Sequence, residues 1–194
     1  MAHSQRTIGL VALLSIVTPL MAATPKTVNV GDRIGVFNAN SGEGELWALS
    51  EHLKPGQFLV VYFYPAAMTG GCTAQACAYR DASAERVKNK VEVVGVSGDA
   101  VNGLKVFKQV HNLNFSLLSD VNGLIAQRFG VPQRKGGSLV RTVNDKDITL
   151  KRGQSSSRWT FILNDQGKVV FKDTQVKAGQ DSDKVLEFIR NTSK

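Results

Sequence analysis

The chain contains two cysteines, Cys72 and Cys77, five positions apart. They sit in the stretch Tyr62-Phe63-Tyr64-Pro65-Ala66-Ala67-Met68-Thr69-Gly70-Gly71-Cys72-Thr73-Ala74-Gln75-Ala76-Cys77-Ala78-Tyr79-Arg80-Asp81. An apolar run there gives way to a Gly-containing turn, and Cys72 follows in what reads as the first turn of a helix. Free backbone N–H groups and the positive end of the helix dipole favour anions at that position. A thiolate is an anion, so the sequence predicts a lowered pKa and raised reactivity for Cys72. The Thr69 hydroxyl is available to a bound oxygen or to the thiolate.

On an intact helix, residues five apart rise about 7.5 Å and are turned by roughly 140°, which separates their Cα atoms by about 8–9 Å. A disulfide bridges at most about 7 Å between Cα atoms. A Cys72–Cys77 bond therefore requires the first helical turns to unwind. The same geometry disfavours a preformed metal clamp and suits a switch between a folded reduced form and a locally unfolded oxidised one. Two other readings stay open at this point: a static disulfide in a non-helical loop, and two unrelated buried cysteines packing as small hydrophobes.

These residues must be held by a scaffold of alternating strands and helices. Residues 58–64 form a continuous apolar and aromatic run suited to a central strand buried on both faces. Pro65 stops it. Helix formers and charges occupy 70–90, a second buried-type strand 91–97, and a helix 101–111. A short strand is predicted at 115–118, and a short helix over 123–129 ending at Gly130. Strands at 159–163 and 168–172 flank the turn Asn164-Asp165-Gln166-Gly167. Residues 181–191 read as a closing helix with Asp181 or Ser182 as N-cap. Together these predict a three-layer α/β domain with a mixed sheet.

Two segments stand apart. Residues 1–23 combine Arg6, an apolar run over 7–17, Pro19 and a small-residue end at Met21-Ala22-Ala23, which is the pattern of a secretory signal peptide cleaved after Ala22 or Ala23. The alternative, an uncleaved anchor, has only 17 residues from Thr7 to Ala23 and is interrupted by Pro19. The expectation is an exported, periplasmic protein of one domain over 24–194, with no stable membrane insertion after cleavage. Outside the cytosol the two cysteines would tend to be found oxidised. The second segment is a basic hairpin near 134–152, read as two short strands around Asn144–Asp147. Its six basic residues (Arg134, Lys135, Arg141, Lys146, Lys151, Arg152) against two acids supply a large share of the chain's net charge of +8. A solvated face explains it better than a nucleic-acid site, because interleaved aromatics and a recognition motif are lacking.

The spacing Pro65-x-x-x-Thr69-x-x-Cys72 resembles the active-site signature of peroxiredoxins, and a second cysteine five residues on is similar to the PrxQ type, also called bacterioferritin comigratory protein. The segments VVYFYP, CTAQACAYRD, VVGVSGD, FSLLSD, RWTFILNDQGKVV and VLEFI extend the likeness over most of 30–190. The resemblance implies a thioredoxin-like fold and a thiol-dependent peroxidase acting on hydrogen peroxide and organic hydroperoxides. It implies that Cys72 is the peroxidatic cysteine and Cys77 the resolving one, that Pro65 shields the site, that Thr69 hydrogen-bonds there, and that Arg158 supplies a guanidinium beside the thiolate. It also implies a monomer, a thioredoxin-like dithiol reductant (here an exported one), and no metal, haem or flavin cofactor. The chain departs from the pattern in three ways: Gly70 stands where many relatives have proline, the basic hairpin is long, and the export signal is unusual.

Alternatives from other classes are an exported thioredoxin-fold thiol–disulfide oxidoreductase, against which C-x-x-x-x-C replaces C-x-x-C, and a copper-binding protein, against which no histidine is placed to complete a site. His52 and His111 read as surface or capping residues, Trp47 as core or a loop anchor, Tyr62 and Tyr64 as packing, Arg80 and Asp81 as a surface pair, and Met68 as a pocket wall or surface residue.

Overall fold

The strand Phe58–Phe63 (β3) carries no polar residue except Tyr62, and its side chains alternate between two cores. Leu59, Val61 and Phe63 face one side, and Val60 and Tyr62 the other; none of the five is more than 1% exposed. A strand covered on both faces has no solvent side to mark with polar residues, which is why its sequence is unbroken.

A computed structural model describes residues 27–192, so the signal peptide expected over 1–23 lies outside the described residues. In chain order the elements are β1 (Asn38–Asn40), β2 (Leu46–Ala48), α1 (Leu49–His52), β3, α2 (Gly70–Asp81), α3 (Ser83–Lys88), β4 (Val91–Ser97), α4 (Val101–Val110), β5 (Ser116–Ser119), α5 (Leu124–Arg128), β6 (Gln133–Val143), β7 (Lys146–Ser156), β8 (Thr160–Leu163), β9 (Val169–Asp173) and α6 (Asp181–Thr192). The central sheet has the order β5-β4-β3-β8-β9. β3, β4 and β5 run parallel, and β8 and β9 join antiparallel. Helices α2, α4 and α6 cover one face through Tyr79, Phe107, Val185 and Ile189; the β1–β2 hairpin, α1 and α5 cover the other through Trp47, Leu49 and Ile125. This is the three-layer mixed-sheet arrangement that the element pattern predicts.

Three details differ from expectation. The helical stretch 70–90 breaks at Ala82 into α2 and α3. The basic hairpin is built of two strands of 11 residues each, not two short ones, and turns on only Asn144 and Asp145, both at positive φ (48° and 60°). That backbone matches the right-handed twist of the flanking strands. Finally, Asp181 does not cap α6. It is 2% exposed, and its carboxylate accepts from side chains of the neighbouring elements.

The hairpin is joined to the carboxyl ends of the parallel strands. Gly153 donates its N–H to the Gly98 carbonyl at 3.0 Å, and Ala100 donates to the Lys151 carbonyl at 2.9 Å. This close approach depends on Gly98, where an added Cβ would lie 2.0 Å from the Gln154 carbonyl oxygen. Gly98→Ala is expected to lower unfolding free energy by about 1–3 kcal/mol, the usual cost of forced overpacking, read from the denaturant midpoint.

Candidate active site

Cys72 is the third residue of α2 and is 1% exposed. The Arg158 Nη2 group donates to its Sγ at 3.2 Å. The two residues are 86 positions apart, and the sheet brings them together. β8 pairs antiparallel with β3, Tyr62 opposite Thr160, and the Phe63 N–H donates to the Trp159 carbonyl at 2.7 Å. Arg158 therefore leaves β8 where β3 gives way to the loop before α2. Gly71 lies beside it: a Cβ there would stand 3.4 Å from Arg158 Nη2. A guanidinium is a permanent cation, so this placement suits a sulfur that carries negative charge.

A second set of contacts holds the guanidinium. Arg158 Nη1 donates to Gln75 Oε1 at 2.5 Å, and the other end of that amide, Nε2, donates to Asp181 Oδ2 at 2.6 Å. The same oxygen accepts from the Tyr79 hydroxyl and the Thr160 hydroxyl, each at 2.8 Å. Burial raises the Asp181 pKa above its ordinary value, and the bonds from Gln75, Tyr79 and Thr160 offset this only in part. A raised folded-state value means that Asp181's contribution to stability is greatest below the ordinary carboxylate range and declines as pH rises through the raised one.

A third set fixes the backbone of the loop Pro65–Thr69. Ser155 Oγ donates to the Pro65 carbonyl at 3.0 Å, and the Ala67 N–H donates to Asp99 Oδ2 at 2.8 Å. Asp99 is fully buried and also accepts from Ser97 Oγ at 2.9 Å and Arg152 Nε at 3.2 Å. Met68 adopts φ 60°, a left-handed conformation that costs a side-chain-bearing residue about 1 kcal/mol or more. Its carbonyl accepts from Arg141 Nε at 3.0 Å. The Ser155, Arg152 and Arg141 donors all belong to the hairpin, so the basic segment braces this loop as well as facing solvent.

Of the residues singled out in the sequence, Cys72 and Arg158 meet directly. Thr69 stands at the start of α2, but its hydroxyl donates to the Ala66 carbonyl at 2.8 Å, and Pro65 is half-buried in the loop before it. Cys77 is half-buried on the same unbroken helix, and both cysteines are free thiols. The structure thus shows the helical arrangement, not a disulfide-closed loop. Gln75, Asp99, Asp181, Arg141, Arg152 and Ser155 went unnoticed as site residues. Gln75 alone carried a signal, because a residue three positions after Cys72 shares its helix face. Tyr62 and Tyr64 are fully buried packing residues whose pKa values burial raises well above the usual phenol range. His52 stacks on the buried Trp47 with ring centroids 4.3 Å apart and meets Glu92; Arg80 pairs with Asp81. Met68 also walls a groove of about 940 Å³ together with Val106, Val110, Val143 and Ile148.

Arg152→Met would leave the buried Asp99 carboxylate without its cation. It is expected to cost about 3 kcal/mol of stability, the scale for breaking a buried pair from one side. Arg141→Ala, which removes a half-buried contact, should instead leave the denaturant midpoint nearly unchanged while speeding hydrogen exchange at Ala67–Thr69.

Comparison with known proteins bears on the whole of this architecture. The AhpC/TSA family matches residues 30–172. The chain is 34% identical over 143 residues to the putative peroxiredoxin bcp of Coxiella burnetii, covering 74% of this chain and 86% of that protein. Its structure is similar to peroxidoxin BcpB of Mycobacterium tuberculosis, with a TM-score of 0.69, 31% identity, and coverage of 84% of this chain and 96% of that one. It is also similar to the bacterioferritin comigratory protein of Xanthomonas campestris, a protein described for its alkyl peroxide reduction activity, with a TM-score of 0.66, 26% identity, and coverage of 81% and 92%. These likenesses favour thiol peroxidase chemistry over protein disulfide exchange or copper binding. A buried cysteine at a helix start beneath an arginine, on a thioredoxin-like sheet, in a chain matched over this length, has one consistent reading: the chain belongs to the AhpC/TSA family, as a thiol-dependent peroxidase of the Bcp/PrxQ peroxiredoxin kind.

Proposed function

We propose that Cys72 is the peroxidatic cysteine, that Cys77 resolves it within the same chain, and that the substrates are hydrogen peroxide and organic hydroperoxides. The observation that carries the reading is the Arg158 guanidinium 3.2 Å from a buried sulfur at the first turn of α2.

In the first step the Cys72 thiolate attacks one peroxide oxygen. The O–O bond breaks, the sulfur is oxidised to sulfenic acid, and the other oxygen takes a proton and leaves as water or an alcohol. Arg158 Nη2, already directed at the sulfur, is placed to hold the charge that moves from sulfur to the departing oxygen. In the second step the Cys77 thiol displaces hydroxide from the sulfenic sulfur, giving a disulfide and water once the thiol proton is counted. Because both cysteines lie on an unbroken α2, this step unwinds its first turns. An external dithiol then reduces the disulfide by exchange. The signal-like pattern of 1–23 supports an exported, periplasmic location and hence an exported thioredoxin-like donor, and one chain holding both cysteines supports action as a monomer.

The test follows peroxide consumption by protein lacking residues 1–23, with excess dithiol, in wild type, Cys72→Ser and Cys77→Ser. Cys72→Ser should abolish turnover, while Cys77→Ser, assayed without added dithiol, should reduce a single equivalent of peroxide per chain and then stop. A wild type no faster than buffer would overturn the reading.

A further inference from the structure

We propose that Asp181 is a positioning residue that latches α2 in its folded form, so that it promotes attack on peroxide and opposes disulfide closure. The proposal rests on the assignment of Cys72 and Cys77 made above.

Three hydrogen bonds converge on one oxygen of Asp181, and two of the donors, Gln75 and Tyr79, lie four residues apart on the same face of α2. The third, Thr160, lies on β8, which also brings in Arg158. Asp181 therefore ties the helix that carries both cysteines to the strand that delivers the guanidinium. All four side chains in the cluster except Arg158 are buried, at 2% exposure or less, so water does not replace a bond that breaks.

Gln75 lies between the two cysteines. For their sulfurs to meet, the segment 72–77 must leave the helix and carry Gln75 with it. That movement breaks both bonds of the Gln75 amide at once, the one to Asp181 and the one to Arg158. The two states are thus exclusive: either the latch is closed and Arg158 is held at Cys72, or α2 is open and the sulfurs can join.

Asp181 also decides which way the Gln75 amide points. Its Oδ2 accepts three donors, so the NH2 end of Gln75 turns toward it and the carbonyl end is left for Arg158. Without that acceptor Arg158 alone holds the amide, through its carbonyl end, and the buried NH2 end loses its partner, so the side chain is tethered at one end in place of two. The carboxylate is not serving as a helix cap, since its hydrogen bonds come from side chains. Burial raising its pKa marks the same placement from another side.

The consequence is a partition. Sulfenic acid at Cys72 either condenses with the Cys77 thiol, releasing water, or is oxidised by a second peroxide to sulfinic acid, releasing water or an alcohol. A closed latch delays the first route and leaves time for the second.

The experiment uses Asp181→Ala, Asp181→Asn and Gln75→Met. In a Cys77→Ser background, rapid quenching with a thiol-alkylating reagent gives the rate of Cys72 oxidation by hydrogen peroxide. Asp181→Ala should lower it by about tenfold, equivalent to about 1.4 kcal/mol in the barrier. With Cys77 present and peroxide in excess, mass spectrometry of the peptide holding both cysteines should show a smaller sulfinic fraction and faster disulfide formation. Asp181→Asn keeps an accepting oxygen and should restore both readings toward wild type. Gln75→Met should reproduce the alanine phenotype, with no further change when the two are combined. It decides the matter alone if Asp181→Ala fails to fold. The latch is refuted if both steps slow together, if neither moves, or if the two substitutions add. A wild type that forms no Cys72–Cys77 disulfide refutes the assignment of Cys77 and the latch with it, whereas a disulfide whose partition ignores Asp181 refutes the latch alone.

Discussion

A buried sulfur beside a half-buried guanidinium sets the terms for the rest of the molecule. Cys72 is almost wholly withdrawn from water, so the polar contact its sulfur makes with Arg158 is supplied by the protein. A guanidinium has five N–H donors, and those of Arg158 that turn away from solvent need acceptors. Gln75 provides one, and its amide then needs an acceptor of its own, which Asp181 provides. Arg158 is thereby linked through Gln75 to one oxygen of Asp181, Oδ2, on which the Tyr79 and Thr160 hydroxyls also converge.

Two separate parts of the fold support the site, and they act on different kinds of atoms. The hairpin of β6 and β7 holds the peptide groups of the loop Pro65–Thr69: a carbonyl at Pro65, an amide at Ala67 by way of Asp99, and a carbonyl at Met68. The start of α6 holds side chains of α2. Proline and the left-handed Met68 give the loop a shape that few other conformations share, and the hairpin donors fix it there. The α2 contacts, by contrast, are side-chain bonds that can be exchanged as a group. The division separates what must stay still during the reaction from what must move.

The strands that build the scaffold could be read directly because their burial is written in local sequence. The stretch 91–97 is mostly apolar, broken by Glu92 and ending at Ser97, and matches β4 end to end. The hairpin is harder to read, since most residues of β6 are exposed, none is fully buried, and the exposed and half-buried positions alternate only over its second half. The break at Ala82 was hidden because alanine is the strongest helix former and announces no end. Asp181 shows the limit most clearly: an aspartate opening a helix looks the same whether it caps its own backbone or accepts from residues more than a hundred positions away. Arg158 was tied to Cys72 only through family resemblance, because a contact over 86 residues is a property of strand pairing and not of spacing.

That Cys72 and Cys77 ride on one helix has a bearing on how the protein behaves when it is scarce. A bond between sulfurs on separate subunits forms only while the subunits remain associated, and so fades upon dilution. Here the distance between partners is set by a short run of backbone, and the effective concentration of one thiol around the other is the same in a single molecule as in a crowded solution. On the proposed roles of the two cysteines, closure is a first-order event, indifferent to how many copies surround it.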